Sequence, residues 1–130
     1  MHAPERLHCT RIVATPTALD TAAWPGGAVV LRVAADEALV AAPVELDVVS
    51  DPHAIVEPET AFCGVWVEVE EALAFLEREC DWELPTERPA FAQGAVAGLP
   101  VKLWFAADGD DRVLFVVPAP FVVDFVERWS

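Results

Sequence analysis

Several common chemistries are missing their usual residues in this sequence. Its three cysteines, Cys9, Cys63 and Cys80, are odd in number, widely spaced and without a CxxC pair. That argues against a secreted disulfide framework and for a reducing compartment. Lys102 is the single lysine, and the net charge is -14. A surface this negative repels phosphate backbones, so direct nucleic-acid binding is not expected. With only six glycines and no Walker loop, dinucleotide fingerprint or serine-centred elbow, phosphate cradling has little support. No apolar run approaches the ~20 residues of a membrane span. The longest, Val113 to Val123, is interrupted by Pro118 and Pro120. The opening MHAPERLHCT carries no apolar h-region and does not read as a signal peptide. The expected location is the cytoplasm, with no membrane partner. Tyrosine is absent, against five tryptophans.

What remains is apolar and acidic. Hydrophobic residues make up 55% of 130, enough for a core without disulfides or a structural metal, and the length fits a single domain over residues 1–130. The acids are spread along the chain and not gathered in a block, which fits a solvated surface or a basic protein partner better than nucleic-acid mimicry.

Proline and glycine cut the first half into short pieces that favour strands. Leu7 to Ala14 reads as a strand, followed by a short turn or helix over Thr17 to Ala23. Ala28 to Val33 and Ala38 to Ala42 read as a hairpin around Ala35-Asp36-Glu37. Leu46 to Ser50 reads as another strand. His53 to Val56 and Phe62 to Val67 read as a second hairpin turning at Glu57-Pro58-Glu59-Thr60. Glu68 to Cys80 is the clearest helix, with Val69, Leu73, Leu76 and Cys80 as its apolar stripe. Glu79 and Asp81 oppose its dipole, so fraying of the last turn is expected. Phe91 to Ala97, Val101 to Ala106 and Arg112 to Val117 read as a meander, turning at Gly98-Leu99-Pro100 and Asp108-Gly109. Pro118 and Pro120 suit the start of a last helix, whose stripe is Phe121, Val122, Phe125, Val126 and Trp129. The expected fold is α+β: an antiparallel sheet of hairpins with two main helices on one face.

No catalytic group assembles from these elements. His2, His8 and Cys9 are close in sequence, but a metal needs three or four converging ligands, and this segment is near a terminus. In Asp51-Pro52-His53 the proline forces an extended turn, which favours an ordinary turn over an acid–imidazole pair. Cys63 and Cys80 lie in apolar stretches and read as packing groups. Asp108, Asp110 and Asp111 lack the spacing of a calcium loop and read as a hairpin tip. Trp24 precedes Pro25-Gly26-Gly27 in a loop and is the candidate interaction residue, since tryptophan is enriched at hot spots. On that reading Trp24→Ala weakens partner binding and leaves stability nearly unchanged.

The stretch from Leu76 to Trp129 resembles the C-terminal part of the sarcosine oxidase gamma subunit family, within the wider folate-binding fold of the glycine-cleavage T-protein. The matching features are Cys80-Asp81 and Glu83-Leu84-Pro85 after a helix, then Phe91 and Gly94, an Ala-Gly-x-Pro turn at Ala97 to Pro100, a strand ending in Trp104, and an aromatic helix closing at Trp129. Upstream, LRVAADEALVAAP is similar to the family's acidic hairpin, with Ala35 and Ala38 where proline and tryptophan are usual, and LDVVSD resembles its Val-Asp-Val-Ser-Asp strand. The family's glycine-proline helix start is replaced by Glu68-Val69-Glu70-Glu71. The resemblance implies a non-catalytic accessory subunit without a cofactor of its own, because flavins, dinucleotide and folate belong to other subunits. Its expected partner is a larger oxidoreductase or folate-enzyme subunit. Two alternatives stand beside it. One is a stand-alone folate-type binder, with a pocket lined by Trp24, Trp104 and Arg32 or Arg112. The other is an oligomeric domain or small enzyme with its site at a subunit interface.

Overall fold

A computed structural model describes residues 1–129. Where the length suggests one domain, the chain contacts divide into two compact units: Leu7–Thr60, and Met1–Arg6 together with the chain from Ala61 onward.

The larger unit is a five-stranded antiparallel sheet in the order β1 (Glu5–Arg6), β6 (Phe62–Glu68), β9 (Arg112–Pro118), β8 (Leu99–Phe105), β7 (Ala90–Val96). The expected meander is present: β7, β8 and β9 are consecutive neighbours. The two main helices, α2 (Val69–Glu79) and α3 (Val122–Trp129), pack on one face. Alternation along the strands decides which face. Val65 and Val67, Val113, Phe115 and Val117, and Leu103 and Phe105 turn to the helices and meet Phe75, Leu76 and Phe125 in one buried cluster. At its centre Phe75 stacks on Trp129 (centroids 4.0 Å apart) and stands edge-on to Phe115 and Phe125 (6.2 and 5.9 Å). The first is a stacked pair, and the other two are the edge-to-face arrangement that ring quadrupoles prefer.

The helices follow the sequence reading with two differences. Ala72, Phe75 and Leu76 form the buried stripe of α2, while Leu73 is exposed. The stripe is thus rotated toward the ring cluster. The last turn is anchored from outside the helix. The Glu79 carbonyl accepts the Ala97 N–H at 2.8 Å, so a neighbouring turn satisfies a carbonyl that the acidic end would otherwise leave to water. At the α3 end, Glu71 accepts Trp129 Nε1–H at 3.0 Å.

The β7–β8 turn is Ala97-Gly98, one step earlier than expected. Both residues have positive φ, 52° and 77°, as a two-residue turn matched to strand twist requires. Gly98 adopts this freely, whereas Ala97 does so against its own Cβ. Contacts on both sides hold Ala97: its N–H donates to Glu79, and its carbonyl accepts from the Arg128 guanidinium.

The smaller unit is a four-stranded antiparallel sheet in the order β3 (Val30–Ala34), β4 (Glu37–Val40), β2 (Cys9–Val13), β5 (Ile55–Glu59). The expected β3–β4 hairpin is there. The second expected hairpin is not, because β5 pairs with β2 whereas β6 pairs with β1 and β9. Pro58, read as a turn residue, lies inside β5. This strand is an edge, where a missing N–H costs no ladder bond. Leu46–Val48 forms a 3₁₀ turn and not a strand. The core is Ile12, Ala18, Leu19, Ala38, Val40 and Val49, with helix α1 (Pro16–Asp20) lying on one end of the sheet face. Thr15 caps α1 by accepting the Ala18 N–H at 3.2 Å. Among the described residues, no helix is long and apolar enough to cross a membrane.

Candidate functional site

The smaller unit's sheet is longer than the helix that covers it. In β2 and β5, Thr10 sits opposite Pro58 and Ile12 opposite Val56, so all four share a face. Ile12 is beneath α1's buried residues. With five residues, α1 spans only about 7.5 Å at 1.5 Å per residue, while a five-residue strand runs about 17 Å. The Thr10–Pro58 end of the face is left without helical cover, and a cleft of about 370 Å³ opens there.

The floor of this cleft is Thr10, Val56 and Pro58, its far wall is Pro43 and Val44, and His8 and Glu57 are also in the lining. The wall is anchored by the Thr10 hydroxyl, which is buried. It donates to the Ala42 carbonyl at 2.8 Å and accepts the Val44 N–H at 3.3 Å. The hydroxyl's one proton and one of its two lone pairs are thereby used within the fold, and the cleft presents chiefly carbon. Cys9, also in the lining, is buried. Burial, reinforced by the Glu59 carboxylate, pushes its thiol from 9.0 up to about 11. It stays protonated at neutral pH, unlike a nucleophilic or metal-binding cysteine. Glu57 is joined to Arg11 at 2.7 Å, and Arg11 also contacts Glu37 at 3.2 Å.

The residues singled out in the sequence make contacts within their own unit. Trp24 is half-buried and packs against the smaller unit's core. Asp51 does not meet the His53 ring. Its carboxylate accepts the His53 backbone N–H at 2.8 Å and the Thr15 N–H at 3.0 Å, and these bonds hold it below the usual carboxylate range. Asp51 thus ties the start of α1 to the loop before β5. His2 Nε2 is 3.5 Å from Glu68. No group of three or more His, Cys, Asp and Glu side chains among the described residues is placed to hold a metal. Arg32 bonds Asp20 at 2.8 Å and the carbonyls of Pro16 and Ala35. Arg112 bonds Asp110 and lies 4.4 Å above the Trp66 ring. Both arginines named for a folate-type pocket thus pair with an acidic residue at the surface.

The cleft residues Thr10, Pro43, Val44, Val56 and Pro58 were not singled out in the sequence. The signal was there in the alternation of Thr10 with Ile12 and of Val56 with Pro58. Reading Pro58 as a turn residue hid the second of these pairs.

No family model matches the chain, and no curated protein matches it. Among solved structures it is similar to a chain of the heterotetrameric sarcosine oxidase from Corynebacterium sp. U-96, in complex with pyrrole 2-carboxylate. The TM-score is 0.72 and the identity 18%, and the match covers 98% of this chain and 80% of that one. At this identity the likeness is one of fold. The protein thus has the α+β fold of a chain of heterotetrameric sarcosine oxidase, followed over nearly its whole length.

Proposed function

We propose that the protein is a non-catalytic accessory subunit that binds a larger oxidoreductase and acts by protein–protein contact. One observation carries this reading: the near full-length likeness to a chain of an enzyme that is itself a heterotetramer. The side chains agree with it. The Cys9 thiol is held protonated, the Asp51 carboxylate is spent on backbone N–H groups, and Arg32 and Arg112 pair with Asp20 and Asp110. A net charge of -14 suits a basic partner surface.

The test is native isolation of the tagged full chain from its own cells at low ionic strength, followed by size-exclusion chromatography with light scattering. The expected result is co-elution, in fixed stoichiometry, with a larger protein absorbing near the flavin band. Elution as a lone chain or a homo-oligomer would refute the subunit reading. Titration of the purified chain with 5-formyltetrahydrofolate checks the folate-type alternative, for which saturable micromolar binding would be the supporting result.

A further inference from the structure

The cleft at the uncovered end of the smaller unit's sheet has a form that suits an anchor from another protein. It is lined mainly by carbon and bounded by the edge strand β5 and the fixed Pro43–Val44 wall. An apolar side chain entering such a depression loses water on most of its surface, which is how interface anchors contribute their energy. The surroundings then specify the rest of the partner. The smaller unit carries eight carboxylates (Asp20, Asp36, Glu37, Glu45, Asp47, Asp51, Glu57 and Glu59) against two arginines. Both arginines are neutralised within the unit, Arg11 by Glu37 and Glu57 and Arg32 by Asp20. A partner bearing carboxylates would meet repulsion there, whereas one bearing lysine or arginine would be steered in.

Resting on the subunit reading above, we propose that this cleft is the docking point for the larger subunit. It would receive an aliphatic or aromatic side chain from a segment flanked by lysine or arginine. Pro43 and Val44 face that anchor, and Glu57 is the carboxylate in the lining, available to its basic flanks. The Thr10 hydroxyl acts indirectly, by fixing the wall before the partner arrives, so that little ordering is needed on binding.

The experiment uses the full chain and the partner identified by native isolation, with binding measured by biolayer interferometry. Pro43→Glu, at an exposed position, and Val44→Glu, at the wall, are each expected to weaken binding at least tenfold. Val123→Glu, on the exposed side of α3, is expected to leave it within twofold. Circular dichroism melts establish that each variant is folded, and Pro43→Glu keeps the test valid should Val44→Glu unfold. Raising sodium chloride from 50 to 300 mM is expected to weaken wild-type binding severalfold. A photo-crosslinker, p-benzoyl-phenylalanine, placed at His8 on the cleft lining is expected to capture a peptide of the partner with an apolar residue next to lysine or arginine.

Wild-type binding that survives both cleft substitutions overturns the docking site and leaves the subunit reading standing. Capture of an acidic peptide, or of a second copy of this chain, overturns it equally, as does salt-independent affinity. A wild-type chain that binds no larger oxidoreductase overturns the subunit reading and the docking site together.

Discussion

Gly94 in β7 offers a sharp test of how the larger unit is packed. A Cβ at this position would fall 2.8 Å from Trp82 Cε2 and Nε1 and 3.1 Å from Cζ2. Ordinary carbon contacts are about 3.5–4.0 Å, so Gly94→Ala forces the indole back by roughly 0.7 Å or more. The same indole donates Nε1–H to the Ala95 carbonyl at 2.8 Å. A retreat of that size takes the bond to the edge of useful geometry. Losing it costs about 1 kcal/mol, and the forced repacking adds about 1–3 kcal/mol. Against this, replacing glycine by alanine at a compatible backbone position stabilises by about 0.4–1 kcal/mol through the unfolded chain. The net expectation is a loss of about 1–3 kcal/mol, read as a lower urea midpoint by far-UV circular dichroism with an unchanged slope. The decisive step is the double mutant. With Trp82→Ala in place the obstruction is gone, and adding Gly94→Ala is expected to be neutral or stabilising by about 0.4–1 kcal/mol. If Gly94→Ala costs the same in both backgrounds, the indole is not what Gly94 makes room for, and the argument fails.

Three further predictions follow from single contacts. Ala97→Gly relieves a positive φ of 52° and is expected to raise stability by about 0.5–1 kcal/mol, seen as a higher melting temperature; a lower one would mean that the alanine methyl matters more than its backbone strain. Asp51, Glu71 and Asp110 are all held below their ordinary carboxylate values, Asp51 by the His53 and Thr15 N–H groups, Glu71 by the N-terminal ammonium and Trp129, and Asp110 by Arg112. Their folded values lie under the unfolded ones, so the stability they lend is complete above the unfolded values of about 3.8 and 4.5 and is lost as pH falls through the folded ones. The urea midpoint should drop below about pH 4.5, with a shallower drop in Asp51→Asn; an equal slope in that variant would remove Asp51 from the account. Cys9, buried and raised to about 11, should resist iodoacetamide at pH 8 in the folded protein, while the half-buried Cys80 reacts first, as peptide mapping would reveal.

Patterns that repeat locally were legible in the sequence. The α2 and α3 helices, the β3–β4 hairpin and each hairpin of the β7–β8–β9 meander carry their period and punctuation within about twenty residues. Short-range sterics and capping therefore announce them wherever they sit. The resemblance of the second half to sarcosine oxidase gamma subunits likewise pointed to the fold that the solved structure shares. Features that depend on distant partners were not legible. The strand assigned to Leu46–Ser50 is a 3₁₀ turn at Leu46–Val48, because no neighbour offers it a ladder. Pro58 reads as a turn until β2 is known to take β5 on one side only, leaving the other edge open.

By itself, then, the sequence determined the class of the protein: acidic, antiparallel α+β, with two helices against one sheet. Hydrophobic periodicity and proline placement act over a few residues and need no knowledge of the rest of the chain. The tertiary structure alone decided that there are two sheets, that Gly94 lies under Trp82, and that a five-residue helix leaves part of a sheet face uncovered as a cleft. Each of these depends on which segments come together from far apart in sequence, and that pairing is set by the burial of whole faces.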